Sequence, residues 1–158
     1  MDIDILNMLY LGADHRGFAL KESLKGHLKA RGVAFEDFGA DVLAPEDDYV
    51  AYAVRVADAV AADPGVHRGI LACGSGIGMA VVANKIKGIR AGLVTELGQA
   101  IASRQDDDAN VLVLEADTTT PEQGAGIVDQ WLQTPFSGAS RHRRRLENLQ
   151  ALENNNFK

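Results

Sequence analysis

The stretch Gly69-Ile-Leu-Ala-Cys-Gly-Ser-Gly-Ile-Gly-Met79 joins a short apolar run to a glycine-rich turn and a second apolar segment. The run at 70–72 is typical of a buried parallel strand, and residues 79–84 predict a helix behind the turn. Three alternating glycines occupy the turn: Gly74, Gly76 and Gly78. Without a Cβ, they let backbone N–H groups converge on an anion. Cys73 begins this turn, where amide dipoles are expected to favour the thiolate and lower the pKa of the thiol.

An alternative interpretation is that Cys73 only packs. A lone cysteine at a strand end is more often a small buried hydrophobe than a nucleophile or a base. A packing residue does not need three glycines in the next five positions, so the spacing favours a chemical role for the thiol and oxyanion binding by the turn. The pattern G-x-G-x-G, placed after the third expected strand, also differs from the G-x-G-x-x-G fingerprint of dinucleotide sites.

Composition narrows the class of protein. A chain of 158 residues suits one domain, 1–158, and a hydrophobic share of 46% with 6% aromatic residues is typical of a sheet covered by helices. The single cysteine excludes an intrachain disulfide, and the acidic start of the chain differs from a signal peptide, so a cytoplasmic protein is expected. The net charge of −6 argues against a nucleic-acid partner. The lack of an apolar run long enough to cross a bilayer argues against a membrane partner.

Hydrophobic periodicity predicts strands alternating with helices. The strands are expected at 8–11, 33–38, 70–72, 90–95 and 110–114, and the helices at 18–30, 49–62, 79–84, 96–105, 121–132 and 140–153. This order predicts an α/β protein: a three-layer α/β/α Rossmann-like fold with a five-stranded parallel sheet and an extended C-terminal helix. Ligands of such sheets bind beyond the carboxyl ends of the strands, which selects the loops that follow them.

Asp14 and His15 lie in the first of these loops. An aspartate here would cap the following helix, with the imidazole in solvent. If the first strand lies beside the cysteine strand, however, the pair places a carboxylate and an imidazole next to a thiol. Those groups suit proton transfer and phosphate contact.

Several motifs make the chain similar to a known family. They lie at 12–17, 48–49, 73–78, 84–85, 88–91, 103–104 and 108–112, and in the cluster Arg141, His142 and Arg145. With this order and spacing, the chain resembles ribose-5-phosphate isomerase B and the related galactose-6-phosphate isomerase subunits along nearly its whole length.

The resemblance implies aldose–ketose isomerisation of a sugar phosphate through a cis-enediolate, without metal or cofactor. Cys73 matches the family's base, and the backbone of Gly74, Ser75, Gly76, Ile77 and Gly78 matches its oxyanion-binding loop, with Ser75 counted as catalytic. Asp14 matches a group that contacts substrate hydroxyls, Tyr49 is counted as substrate-binding, and His15, Arg141 and Arg145 match the phosphate ligands. The two arginines lie four residues apart, so they share one helical face. The alternative for this basic cluster is a surface patch.

The family also implies a homodimer, or a dimer of dimers, with the active site between subunits and the C-terminal helix, 140–158, against a partner.

The chain departs from the family at Asp106 and Asp107, which stand where members commonly have His-Asn. That histidine is the ring-opening group, so Asp106 is a candidate replacement and Asp107 a candidate substrate contact. Asp117 replaces a phosphate-binding arginine of many members, and Val50 replaces a proline.

Three accounts of Asp106 follow. Crowding among Asp106, Asp107 and Asp108 could raise one pKa enough to make an acid; the substrate could need no ring opening; or the aspartates could form a solvated loop. The second account is preferred and predicts a tetrulose phosphate such as erythrulose 4-phosphate. Ribose 5-phosphate is the alternative substrate, and a sugar-phosphate binding module without catalysis is the alternative of another class.

Overall fold

The computed structural model describes residues 8–157. The strands are β1 (Leu9–Ala13), β2 (Glu36–Asp37), β3 (Arg68–Cys73), β4 (Ala91–Val94) and β5 (Val111–Glu115). The helices are α1 (Phe18–Ala30), α2 (Tyr49–Ala61), α3 (Ile77–Ala83), α4 (Leu97–Asp107), α5 (Pro121–Gln133) and α6 (Ser140–Asn156). The acidic start of the chain, which argued above against a signal peptide, lies in residues 1–7, outside the described range.

The five strands form one parallel sheet in the order β2-β1-β3-β5-β4. Successive residues of β3 point to opposite faces, as strand geometry requires. Ile70 and Ala72 pack in one hydrophobic core with α1, α4 and α5, whereas Leu71 and Cys73 pack in the other core with α2 and α3. The predicted three-layer α/β/α fold is therefore confirmed.

Helix α1 spans the predicted residues because Leu20, Leu24 and Leu28 form one buried stripe. The buried Lys21 extends beyond this stripe to Asp37, at 2.6 Å between Nζ and Oδ2, and to the Ala40 carbonyl at 2.8 Å. This contact ties α1 to β2. The same strand is shorter than predicted, with two residues instead of six, because it pairs with β1 at only two positions.

The C-terminal helix α6 continues three residues beyond its predicted end. It contacts α4, and the amide of Gly88 donates to Glu153 Oε1 at 3.2 Å. Leu149, Leu152 and Phe157 remain exposed along it. Among residues 8–157, no helix combines the length and the apolar character needed to cross a membrane.

Candidate active site

Cys73 is the last residue of β3, the central strand of the sheet. Its neighbours in the sheet are β1, which leads directly into Asp14, and β5, where Glu115 is its register partner. The expected juxtaposition of the thiol with the first loop is therefore present. Only 5% of Cys73 is exposed, so a substrate would reach the sulfur from the carboxyl edge of the sheet.

The ionisation of Cys73 differs from the sequence-based expectation. Burial raises the pKa of the Cys73 thiol, and the charge of Asp14 adds to this effect. The backbone amides of Met79 and Gly76 face the sulfur and the Arg16 guanidinium is near, and all three act in the opposite direction without reversing it. The prediction of a lowered pKa was wrong because desolvation of the thiolate outweighs the surrounding dipoles.

At each glycine of the turn, a different neighbouring group leaves no room for a Cβ. Gly76 caps α3 with φ at +77°, and a Cβ there would lie 2.5 Å from a methyl group of Leu93. A Cβ at Gly74 would overlap the guanidinium of Arg16, and one at Gly78 would lie 2.8 Å from the Tyr49 ring. The turn therefore carries two side chains in direct contact with its backbone.

The polar groups of the turn stay at its surface. Ser75 is exposed, and its Oγ accepts from the amide of Ile77 at 3.3 Å. The ring of Tyr49, at the start of α2, lies over Gly78 and is partly exposed. The Tyr49 ring thus packs against the backbone of the turn that follows Cys73.

Asp14 is buried, and its Oδ1 accepts from the amides of Arg16 and Gly17, each at 3.0 Å. Asp14 thus stabilises the turn before α1, whereas the N-cap of the helix is Gly17 and the helix has no side-chain cap hydrogen bond, so the helix-cap interpretation was wrong. His15 turns towards the loop before α2, where both its amide and its Nδ1 contact Asp47 Oδ1, at 3.0 and 2.8 Å. Because Asp47 engages Nδ1, the opposite ring nitrogen, Nε2, is available to a ligand.

Sequence reasoning missed Asp47 and Arg16 as parts of this site. The Arg16 guanidinium lies across Gly74 and hydrogen-bonds through Nη2 to Asp117 Oδ2 in the loop after β5. The signal for this pair was available: two residues of opposite charge stand in loops that follow strands on either side of β3. The pair covers one side of the turn.

Asp14, His15 and Asp47 are also the only acid and histidine groups in the described part of the chain that could hold a metal ion together, with ligand atoms within 4.8 Å of one another. Asp14 Oδ1, His15 Nδ1 and Asp47 Oδ1 already make the hydrogen bonds described above.

A second group of predicted site residues lies elsewhere. Helix α4 begins at the carboxyl edge of the sheet and runs back, so Asp106 and Asp107 lie at the opposite edge from Cys73. His142 of α6 is buried, with Nε2 3.5 Å from Asp106 Oδ1. Arg141 and Arg145 are exposed on the same helix. Across residues 8–157, no hydrogen bond or ion pair joins this group to the Cys73 group.

The expected crowding of three aspartates is not observed. Asp108 pairs with Arg104 at 2.8 Å and with Arg90 at 3.2 Å. Asp106 instead faces His142, and Asp107 lines a cavity of about 500 Å³ beneath α6. Asp106 and Asp107 are successive residues of α4 and point about 100° apart around its axis. Asp108 follows the helix with φ at +45°, which turns the chain away from it.

The chain is similar to known proteins along most of its length. A family model described as Ribose/Galactose Isomerase matches residues 9–149. The chain is 41% identical over 145 residues to a probable ribose-5-phosphate isomerase B of Mycoplasma pneumoniae, covering 92% of this chain and 94% of the relative. It is 40% identical over 148 residues to ribose-5-phosphate isomerase B of Escherichia coli, covering 94% and 97%.

Solved structures agree. Ribose-5-phosphate isomerase B of Mycoplasma genitalium with bound ribulose-5-phosphate superposes with a TM-score of 0.90 at 37% identity, covering 93% of this chain and 96% of that one. The Trypanosoma brucei type B enzyme gives a TM-score of 0.85 at 42% identity, covering 94% and 99%. Fold and likeness together define a sugar-phosphate isomerase that interconverts aldoses and ketoses. More narrowly, the chain belongs to the Ribose/Galactose Isomerase family, which confirms the resemblance seen in its motifs.

Proposed function

We propose that the single domain, 1–158, moves a proton between adjacent carbons of a sugar phosphate, with Cys73 as the base and no metal or cofactor. The thiolate removes the proton from the carbon next to the carbonyl, and the electron pair forms an enediolate. The resulting thiol returns the proton to the former carbonyl carbon, and the hydroxyl proton of the first carbon passes to the oxygen of the second, which completes the change from ketose to aldose. The observation that carries this proposal is the Cys73 sulfur facing the amides of Gly76 and Met79 beside Asp14.

Those amides and the rest of the turn, Gly74 to Gly78, would bind the oxyanion that develops on the substrate. Ser75 and Tyr49 border the same space, and Asp14 has its second carboxylate oxygen for a substrate hydroxyl. The raised pKa of the Cys73 thiol makes its thiolate a stronger base but a less populated one at neutral pH. The rate of proton transfer should therefore increase with pH.

The arginine ligands of the phosphate would belong to a second copy of the chain. Arg141, Arg145, Asp106 and Asp107 lie at the edge of the sheet away from Cys73, so one chain does not assemble both halves of the site. Large apolar side chains are exposed on α3 and α6: Ile77, Val81, Leu149 and Leu152. In a homodimer, or a dimer of dimers, pairing of these surfaces would bring α6 to the partner's Cys73 loop. His15 would contact the phosphate from its own chain.

The preferred substrate is a four-carbon sugar phosphate such as erythrulose 4-phosphate, which yields erythrose 4-phosphate. Its phosphate occupies the oxygen that would close a five-membered ring, so the substrate is already open-chain. This fits an aspartate, Asp106, at the position of the ring-opening histidine. Ribose 5-phosphate is the second candidate, favoured by relatives named ribose-5-phosphate isomerase B and by the relative solved with ribulose-5-phosphate.

Two measurements test the proposal. Incubation with sugar phosphates of four, five and six carbons in D₂O should give both isomerisation and deuterium at the carbon next to the carbonyl. Cys73→Ser should abolish both while substrate binding persists. A binding module would show no exchange with the native chain, and better turnover of ribose 5-phosphate than of the tetrulose would overturn the four-carbon assignment alone.

A further inference from the structure

A second cavity, of about 610 Å³, lies at the amino edge of the sheet, opposite the Cys73 loop. It is bounded by the first residues of β1 and β3, the turn after α1 and the turn after α5. Arg68, Arg104 and Trp131 line it together with apolar groups such as Val33 and Leu132. This volume is within the range of small-molecule binding sites, about 300–1,000 Å³. None of the residues in the proposed reaction lines it.

The arginines near this cavity outnumber the carboxylates that pair with them. Arg90 and Arg104 share the single carboxylate of Asp108, at 3.2 and 2.8 Å. Arg68 has no carboxylate within ion-pairing distance among residues 8–157, and it donates through Nη1 only to the carbonyl of His67, at 2.9 Å. Burial, followed by repulsion from Arg104, lowers the pKa of Arg68 to about 10, so the group is still a cation at neutral pH.

The one carboxylate at the rim of this cavity is already engaged. Asp129 lies 2.8 Å from His27 Nε2 and 3.3 Å from Arg31 Nε. It therefore forms no ion pair with Arg68, which is attracted only by the more distant charge of Asp108. Arg68 is half-buried, and a bound anion would supply the ion-pair partner that the described part of the chain does not provide.

Trp131 gives an independent indication of a ligand. It is 1% exposed and lines the cavity, and its Nε1–H has no hydrogen-bond acceptor in the described part of the chain. Buried indole N–H groups usually find an acceptor. Nε1 itself is enclosed, so a ligand oxygen would reach it only when the residues lining the cavity move, whereas the half-buried Arg68 guanidinium is already accessible to an anion.

We propose that this cavity is a binding site for a small phosphate ester, separate from the catalytic site. Arg68 binds the phosphate through its planar guanidinium, the Trp131 N–H donates to a ligand oxygen, and the apolar walls at Val33 and Leu132 contact the organic part. A sugar phosphate and a nucleoside monophosphate share this chemistry. The site would let the concentration of a phosphorylated metabolite act on the enzyme away from Cys73.

Trp131 is the only tryptophan of the chain, so its fluorescence and its indole N–H resonance report on this cavity directly. The full chain carrying Arg141→Gln and Arg145→Gln, which weakens phosphate binding at the proposed catalytic site, is titrated with inorganic phosphate, ribose 5-phosphate and AMP. A saturable shift of the indole resonance is expected. Adding Arg68→Gln should increase Kd by about tenfold, the effect of losing a charged hydrogen bond.

Arg68→Lys keeps the charge and the fold and should weaken binding less than Arg68→Gln. Lys29→Gln, an equal loss of charge on the exposed end of α1, should leave Kd unchanged. The proposal is overturned by the absence of a saturable shift at ligand concentrations of about 10 mM. An indole shift that is the same with and without Arg68 overturns it too.

Discussion

Arg16 and Asp117 join two loops on opposite sides of the central strand β3, although they lie 101 positions apart in the chain. The guanidinium rests on Gly74 while it bonds the Asp117 carboxylate. A positive charge is thereby held next to the Cys73 thiol, where it works against the effect of burial. Asp117 acts as a positioning residue, since it touches Arg16 and not the thiol.

Replacing Arg16 by Gln should therefore raise the pKa of Cys73 further. The pH midpoint of thiol alkylation by iodoacetamide is expected to move to higher pH, and kcat/KM at neutral pH to fall about threefold, the size of an exposed charge interaction. Asp117→Asn should change the alkylation midpoint as well, because Arg16 loses its anchor. Lys29→Gln removes a charge at the far end of α1 and serves as the control; an equal midpoint in the native, Arg16→Gln and Lys29→Gln proteins would contradict this electrostatic role.

Gly76→Ala should inactivate the enzyme. At φ +77° a Cβ is strained, and it would also approach the Leu93 side chain at 2.5 Å and the Leu114 carbonyl at 3.2 Å. The turn must then shift and move its amides away from the sulfur, with a loss of about 100-fold in kcat. Steady-state kinetics and urea unfolding measure the two effects.

The control for this substitution is Gly26→Ala. Gly26 lies within α1 with open space around its Cα, so a methyl group there should stabilise the helix by about 0.5–1 kcal/mol and leave kcat unchanged. If Gly76→Ala retained native kcat, the turn would not be the oxyanion site.

Much of this architecture could be predicted from residue patterns, because it depends on local periodicity. The leucine spacing of α1 and the alternation of strands and helices determine the fold and place Asp14 beside Cys73. The Arg16–Asp117 contact left only a weaker signal, opposite charges in the loops on either side of β3, because its geometry depends on the conformations of two loops far apart in the chain. The raised pKa of Cys73 was missed because it reflects a balance between burial and dipoles that only a packed structure defines.

Asp37→Asn should lower the free energy of unfolding by about 3 kcal/mol, as expected when a buried charge loses its partner. Lys21, 2% exposed, is that charge. Burial alone would raise the pKa of Asp37, but hydrogen bonds from Lys21, Lys25 and the Gly39 amide outweigh it and hold the pKa below its usual range. Glu22→Gln, at the exposed end of the same network, should cost less than about 1 kcal/mol.

The same contact predicts a pH dependence. Because the pKa of Asp37 is lower in the folded state, the unfolded chain takes up the proton first as the solution is acidified. The stabilisation is therefore complete above the unfolded pKa of about 3.9 and declines as the pH falls below it. Urea unfolding of the native protein and of Asp37→Asn should show their difference in stability narrowing below about pH 4. A constant difference from neutral to acidic pH would contradict the role of the Asp37 carboxylate.

The division of site residues between the two edges of the sheet predicts complementation between inactive variants. Cys73→Ala removes the base, and the double variant Arg141→Gln, Arg145→Gln removes the proposed phosphate ligands; each alone should be inactive. In a mixed dimer, one site combines the native Cys73 of one chain with the native arginines of the other. Random mixing makes half of the dimers mixed, so about a quarter of native activity should return.

The mixture is prepared by joint unfolding and refolding, and activity is measured with the sugar phosphate that the native enzyme turns over fastest. Refolding each variant separately and then combining them without exchange is the control, and it should give no activity. Mixing Cys73→Ala with Gly76→Ala provides a second control, because both changes lie in the same half of the site and no mixed dimer contains an intact pair of halves. Activity that does not return in the first mixture, despite demonstrated exchange of subunits, would mean that Cys73, Arg141 and Arg145 of one chain serve the same site. Helix α6 would then have to lie near the Cys73 loop of the same chain, contrary to its position beside the final turn of α4.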